Sequence, residues 1–210
     1  MRIDSIQVGQ PQIYAAAEDR EPWTSAIAKS PVSGRIWAGS LGLTGDAVAD
    51  THHHGGPFQA ILFYSAEHYP VWQAEWDRSD LGPGSFGENL TVAGASEDAV
   101  CIGDRLQIGE VRLAVTSPRT PCNTLALRLG VPDVIKMVLQ NHRCGWYVKV
   151  VQEGWIEAGL PVELLERPYP EWTIRRAAEA KLHRLRDREE AALLAECPAL
   201  HPEWRETLLK

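Results

Sequence analysis

The chain has 210 residues, 44% of them hydrophobic and 23% charged, with a net charge of −7; this is the composition of a globular protein long enough to bury a substantial core. The negative balance excludes broad, non-specific nucleic-acid binding, which needs a basic surface to displace phosphate counterions, but it leaves room for a local anion pocket. No apolar run reaches eighteen residues, no apolar stretch follows Met1-Arg2-Ile3-Asp4-Ser5, and Cys101, Cys122, Cys144 and Cys197 are dispersed without a C-x-x-C pair, which predicts a cytoplasmic protein with no membrane span, secretory signal, disulfide framework or structural zinc site.

Up to about Glu166 the chain reads as short strands broken by turns. Residues 60–64 and 89–92 are strand candidates, with a helix at roughly 69–76 between them whose Trp72 and Trp76 share one face. That spacing reads as packing rather than as a platform for stacking bases. Gly82-Pro83-Gly84-Ser85-Phe86-Gly87 matches G-x-G-x-x-G letter for letter. A dinucleotide loop must follow a strand and open a helix, and here a strand-like segment follows, so the match carries no nucleotide site.

Residues 104–115 form the clearest hairpin. Leu106 and Ile108 alternate with polar residues, as do Val111, Leu113 and Val115, and Gly109-Glu110 suits a type II′ turn with glycine at the positive-φ corner. Asp133 is placed to cap a helix reaching Leu139. Residues 146–151, 154–156 and 162–165 complete the strands. Many short strands with glycine-rich turns predict a mostly β, α+β protein whose core is a barrel or sandwich.

After Arg167-Pro168-Tyr169-Pro170 the pattern becomes helical. Thr173 can cap a helix carrying Ile174, Ala177, Ala178 and Leu182; a second holds Ala191, Leu193 and Leu194 and stops at Cys197-Pro198; a third holds Trp204, Leu208 and Leu209. The basic stretch from Arg175 to Arg184, with Glu179, Asp187, Glu189 and Glu190 around it, reads as a solvated face laced by i,i+4 pairs. The expected division is a β domain over residues 1–166 and a three-helix appendage over 167–210. The appendage is too small to be stable alone, so it should dock on the β domain or on a second copy in a homodimer.

Cys122 concentrates the chemistry. Pro118 and Pro121 fix the backbone on both sides of Arg119, and the helical texture from Asn123 onward puts the thiol at a helix N-terminus, where N–H groups and the dipole favour thiolate. A free cysteine is also commonly a small buried core residue, and that reading stands beside the functional one. Cys101 and Cys197 read as core; Cys144 is less clear. In His52-His53-His54-Gly55-Gly56, alternation on an extended chain would put His52 and His54 on one face with His53 opposite, and the two glycines would let backbone N–H groups approach a bulky anion. A zinc site is a weaker alternative, because no further ligand pair stands at helical spacing, and a solvated turn without a ligand is a third.

Five segments taken in order, Gly42-Leu43-Thr44-Gly45-Asp46, His53-His54-Gly55-Gly56-Pro57, Phe86-Gly87-Glu88-Asn89-Leu90, Pro118-Arg119-Thr120-Pro121-Cys122 and Gly145-Trp146-Tyr147, resemble the MOSC family, named for the C-terminal domain of molybdenum cofactor sulfurase. Ser25-Ala26-Ile27-Ala28-Lys29 and the helical appendage add to the likeness, which spans essentially the whole chain and is nearest to stand-alone YiiM-like members. The resemblance implies a MOSC-type β-barrel core holding molybdenum cofactor, a pyranopterin dithiolene with a phosphate. Cys122 falls on the molybdenum-ligating cysteine, and a soft thiolate suits a metal that already carries sulfur ligands. Lys29, His53, His54, Gly55, Gly56, Asn89 and Arg119 fall on positions that would bind the pterin or its phosphate. Relatives reduce N-hydroxylated compounds, hydroxylamines and N-hydroxylated purines among them, which implies an oxidoreductase that detoxifies N-hydroxylated bases. Phe58 and Gln59 depart from the acidic and basic residues that many members carry after His-Gly-Gly-Pro, and His52 has no assigned role.

The chain shows no flavin, haem or iron–sulfur motif and no pyridoxal phosphate is expected, so a reductase of this kind needs a separate electron-donor protein. Two other readings remain: a non-catalytic carrier of the cofactor or of sulfur through Cys122, and a metal-free thiol enzyme using Cys122 and His54.

Overall fold

The structure, a computed structural model, describes residues 1–15, 21–52 and 54–210. The N-terminal part carries β1 (Arg2–Val8), β2 (Gln12–Tyr14), β3 (Trp23–Ser25), β4 (Ser30–Pro31), β5 (Ile36–Gly39) and β6 (Gly42–Leu43). A single 3-10 turn at Pro57–Gln59 leads into β7 (Ile61–Ser65), α1 (His68–Trp76) and β8 (Leu90–Ala93). Next come β9 (Arg105–Ile108), β10 (Val111–Pro118), α2 (Asn123–Leu129), α3 (Val134–Asn141), β11 (Trp146–Gln152), β12 (Gly154–Ile156) and β13 (Glu163–Glu166). The tail is α4 (Ile174–His183), α5 (Arg188–Ala195) and α6 (Pro202–Leu208).

Eight strands form one sheet in the order β13-β9-β10-β11-β7-β8-β1-β4. All its pairs are antiparallel except β7 with β8, which α1 connects as a crossover. The sheet curls into a half-barrel, bringing the segment just before β13 back onto β1 through Ile3 N→Leu160 O (3.0 Å) and Val162 N→Met1 O (3.0 Å). β7 is buried along its whole length, as an apolar strand covered on both faces should be. Tyr64 stacks on Phe86 at 4.5 Å and accepts a hydrogen bond from Trp72 Nε1 at 2.6 Å; Trp72 in turn stacks on Trp76, so these rings are core.

The loop from Gly82 to Asn89 enters β8, not a helix, as its failure to read as a nucleotide loop requires. Glu88, fully buried, organises it: its carboxyl accepts from Gly84 N (2.6 Å), Phe86 N (3.2 Å), Thr91 Oγ1 (2.8 Å) and the Tyr69 hydroxyl. The β9–β10 hairpin pairs Ile108 with Val111. Gly109 takes φ 56°, and Glu110 is not among the residues with positive φ, as a type II′ corner demands.

Asp133 precedes α3 as expected but does not cap it. Its ψ of 3° departs from the extended geometry that swings a side-chain oxygen over the first turn, so no side-chain hydrogen bond forms and its carbonyl accepts Met137 N instead. Thr173 does cap α4, accepting Arg176 N at 3.1 Å. The tail docks on the β8–β9 connection and on β10 of its own chain through Ile174 N→Val100 O (2.8 Å), Arg175 N→Glu97 O (3.0 Å) and His201 N→Thr116 O (3.0 Å).

The basic face of α4 departs from the solvated reading. Arg175 bonds Asp98, Arg176 bonds Glu190 of α5, and Lys181 donates to Thr120. These partners lie outside α4; of the three basic residues only Arg175 has an acid four positions on, Glu179, and it bonds Asp98 instead. Among the described residues no helix is long and apolar enough to cross a membrane.

Gly145, just before β11, adopts φ 73°, and a Cβ there would stand 2.4 Å from the Phe63 carbonyl oxygen. Its N–H is held by Glu97 Oε1 at 2.8 Å. Gly145→Ala is therefore expected to lose about 3 kcal/mol of stability by chemical denaturation, combining left-handed strain with overpacking; a loss below about 1 kcal/mol would contradict this account.

Candidate functional site around Cys122

β10 ends at Pro118, which cannot donate to a continued ladder. The chain then turns, with Arg119 N bonded to Gly145 O at 3.0 Å, and α2 begins with Cys122 as its extended N-cap (φ −120°, ψ 165°). Burial opposes ionisation of this thiol. The His54 hydrogen bond, the Arg119 charge and the Leu125 N–H outweigh it and bring the thiol down to about 6. The bond to Cys122 likewise raises His54 above its usual value, against burial, and the Cys122 and Asp50 charges add to the rise. At neutral pH the thiol is therefore mostly thiolate, and its neighbour His54 is biased toward the protonated form.

A direct consequence is measurable on metal-free protein. A depressed thiol pKa leaves the nucleophilic thiolate populated above about 6 and removes it as the pH falls through that value. Alkylation of Cys122 by iodoacetamide, followed by peptide mass spectrometry, is expected to reach half its plateau rate near pH 6. An ordinary thiol would do so at about 8.5. His54→Gln should move the midpoint upward; an unmoved midpoint would remove His54 from this role.

Cys122, His54, Arg119, Lys29, Asp50 and Tyr147 share a cavity of about 230 Å³. His54, Lys29 and Tyr147 also border an adjoining cavity of about 410 Å³, together with Gly55, Gly56 and Asn89. Gly55 and Gly56 hold φ of 81° and 77°, conformations that glycine adopts without penalty, and they put bare backbone on the cavity wall. His53 lies outside the described residues. His52 is exposed, with its N–H on Asp50 Oδ1 at 3.0 Å. The segment turns here, His54 N bonding Asp50 O, so the alternating faces of an extended chain do not apply.

The three candidate polar side chains beyond the Cys122–His54 pair differ in what they have left to offer. Lys29 is buried in an ion pair with Asp46. Asn89 spends its amide on Asp46 Oδ2 (2.8 Å) and accepts Leu62 N (3.0 Å), bracing β7. Asp46 also accepts Gly9 N at 2.8 Å, so it is the hub of this wall. Arg119 is 6% exposed and makes no side-chain ion pair or hydrogen bond among the described residues. It is a buried cation without an acid, facing the same cavity as the thiolate.

Cys144 is buried and burial pushes its thiol well up, as it raises Cys101 and Cys197, so all three are core. Phe58 packs edge-on against His201 with the Lys149 ammonium 5.2 Å from its ring centre. Gln59 lines the larger cavity, its Oε1 buried without a partner among the described residues.

Residues 50–163 match the MOSC domain and residues 172–210 match the YiiM-like, 3-alpha helix domain. The chain belongs to the MOSC family. The crystal structure of YiiM from Geobacillus stearothermophilus superposes on this MOSC chain with a TM-score of 0.83 and 34% identity, covering 100% of this chain and 99% of that one. YflK of Bacillus subtilis (strain 168), an uncharacterized protein, is 34% identical over 206 residues, which make up 98% of this chain and 92% of YflK. A protein of Gibberella moniliformis named Reductase is 39% identical over 156 residues, 72% of this chain but 27% of that protein.

Three residues of this MOSC site carry roles that local sequence reading left unassigned. Asp46 and Tyr147 stand in the motifs, yet nothing in their spacing shows that one anchors Lys29 and Asn89 or that the other borders both cavities. The third, Lys181, comes from the helical tail.

Proposed function

We propose that this protein is a molybdenum-cofactor-dependent oxidoreductase that reduces N-hydroxylated compounds, hydroxylamines and N-hydroxylated purines among them. The observation that carries this reading is the meeting, in one cavity, of a thiolate at Cys122 with the buried cation Arg119, which has no ion-paired carboxylate among the described residues. The residues present fit the cofactor. A soft thiolate suits a sulfur-ligated metal, and a buried guanidinium without an acid is costly unless a ligand brings the counter-charge, as a phosphate does. No group of three or more His, Cys, Asp or Glu side chains suited to a metal ion occurs among the described residues, so a metal held at Cys122 would arrive with most of its ligands, as a dithiolene complex does. Membership of the MOSC family and the fungal relative named Reductase support the same class.

In this reading Cys122 would ligate the metal and Arg119 would hold the anionic end of the pterin. The Gly55-Gly56 backbone lines the pocket beside it, while Lys29 and Asn89 act through Asp46 to keep the wall rigid. When bound, the cofactor supplies a centre that passes two electrons to the N–O bond. His54, whose pKa its neighbour Cys122 raises, would hold a proton beside Cys122 and deliver it to the departing oxygen. With a second proton the N-hydroxyl group becomes an amine and water. The electrons come from a separate reductase protein.

The Cys122 thiolate beside His54 also favours a second reading, a sulfur carrier in which Cys122 attacks the outer sulfur of a donor persulfide, becomes the persulfide itself and releases the donor as its thiol. The deciding experiment is the molybdenum and pterin content of protein purified from a cofactor-competent host, followed by reduction of an N-hydroxylated purine with an artificial electron donor. Near-stoichiometric metal and turnover are expected. A well-folded protein without molybdenum, forming a Cys122 persulfide on incubation with a sulfur donor, would overturn the first reading in favour of the second.

A further inference from the structure

The helical tail walls the Cys122 site as well as covering the sheet. A cavity of about 220 Å³ shares His54, Cys122 and Tyr147 with the first and is completed by Lys181 of α4 and by Glu203 and Trp204 of α6. Lys181 is half-buried in this wall and held there twice. Its ammonium donates to Thr120 Oγ1 at 3.0 Å, on the loop that carries Arg119 and Cys122, and stands 3.8 Å from the centre of the Trp204 ring.

An ammonium has three N–H groups. One goes to Thr120 and one faces the ring, which leaves a donor for the cavity. Lys181 forms no ion pair among the described residues, and Glu203, exposed on the opposite bank, is the acid whose charge it feels. Burial, with Arg184 adding to it, lowers its pKa to about 8, so most of the side chain is charged at neutral pH. Thus Arg119 and Lys181, both without a bonded acid among the described residues, flank the loop bearing the thiol in a chain whose net charge is −7. Desolvated cations in that position are costly unless something that enters the cavity compensates them.

We propose that Lys181 is a specificity-determining residue of the Cys122 site, through which the helical tail selects small molecules that carry an oxyanion or another anionic group to the thiol. The restraint by Thr120 and Trp204 matters here. A free lysine would give up much rotamer entropy on gripping a ligand, and this one is already ordered. The proposal rests on the reading above only for the reaction performed; the charge selection belongs to the cavity and is testable without metal.

The test compares alkylation of Cys122 in the full, metal-free chain by iodoacetate, which is anionic, and by iodoacetamide, which is neutral, each followed by peptide mass spectrometry. The same thiolate attacks the CH2 carbon of either reagent and displaces iodide, so the rate ratio cancels the ionisation of Cys122 and reports the local charge. Lys181→Met keeps an apolar stem over Trp204 and is expected to lower the iodoacetate/iodoacetamide ratio about fivefold, as loss of one nearby partly solvated charge should. Lys181→Arg should keep the ratio near the wild-type value. Glu203→Gln, at an exposed position where folding is not at stake, should raise it. A ratio unchanged in both Lys181→Met and Glu203→Gln overturns the proposal, as does a fall in Lys181→Arg equal to that in Lys181→Met. Failure to load molybdenum would remove the proposed reaction and leave these ratios as they are.

Discussion

Cys122→Ser is expected to strip molybdenum from protein purified in a cofactor-competent host and to abolish reduction of N-hydroxylated substrates, while the fold stays intact. The two atoms differ little in size, but a serine hydroxyl does not ionise near neutral pH and its hard oxygen is a poor partner for a sulfur-ligated metal. The thiolate at this position is prepared by its surroundings: burial works against it, and His54, Arg119 and the Leu125 N–H overcome burial to hold it at about 6. The substitution discards that arrangement and also lets His54 fall back toward its usual value, since the Cys122 hydrogen bond is the main cause of its rise. Loss of a supporting residue around a metal typically costs about 10- to 100-fold in affinity or activity, so loss of the ligand itself should exceed about a hundredfold. Metal analysis per chain and steady-state turnover read this directly. Retention of molybdenum by a folded Cys122→Ser protein would falsify the assignment of Cys122 as ligand.

The largest stability effect is expected at Glu88, a residue that never touches the cavity. Glu88→Ala leaves Gly84 N, Phe86 N, the Tyr69 hydroxyl and the Thr91 hydroxyl without their acceptor in a fully buried place. An unpaired buried donor costs roughly 1–3 kcal/mol, and some of these groups will turn toward other partners, so a loss of about 4 kcal/mol or more is expected in urea denaturation. Glu88→Gln should fall between wild type and alanine, because one carbonyl oxygen remains while the amide N–H groups now face donors. The effect should spread to the site. The loop that Glu88 organises carries Gly87, which borders the Cys122 cavity of about 230 Å³ and the adjoining one of about 410 Å³, and Asn89, which braces β7 and Asp46. Reduced cofactor retention should therefore accompany the lost stability. Stability within about 1 kcal/mol of wild type would mean that the loop holds without this carboxyl.

Where the physics is local, the sequence is legible. Alternation and a positive-φ glycine suffice for the β9–β10 hairpin, a hydroxyl before an apolar repeat suffices for the Thr173 cap, and two prolines before a helical run suffice to set Cys122 at the start of α2. β1 is not legible in the same way. A bulge between Ile3 and Ser5 breaks the two-residue period, so Ile3 and Ile6, both buried, stand three apart in the sequence. β4 and β6 have two residues each and carry no periodicity at all. Asp133 shows the converse error: the right residue type stands at the helix start, but the backbone entering it has the wrong ψ for its side chain to bond.

By itself the sequence determined the fold class, the three-helix tail, the family and the place of Cys122 at the start of a helix, because each is written in residue type and short-range order. Only the tertiary structure decided which charges meet and which stay open. Lys29 is neutralised by Asp46, seventeen positions away; Arg119 has no such acid among the described residues; and Lys181, which helical spacing assigns to solvent, reaches Thr120 across sixty-one positions to join the Cys122 wall. Those pairings depend on how far the sheet curls and where the tail docks on it, and Coulomb and hydrogen-bond energies follow distances in space, which spacing along the chain does not encode.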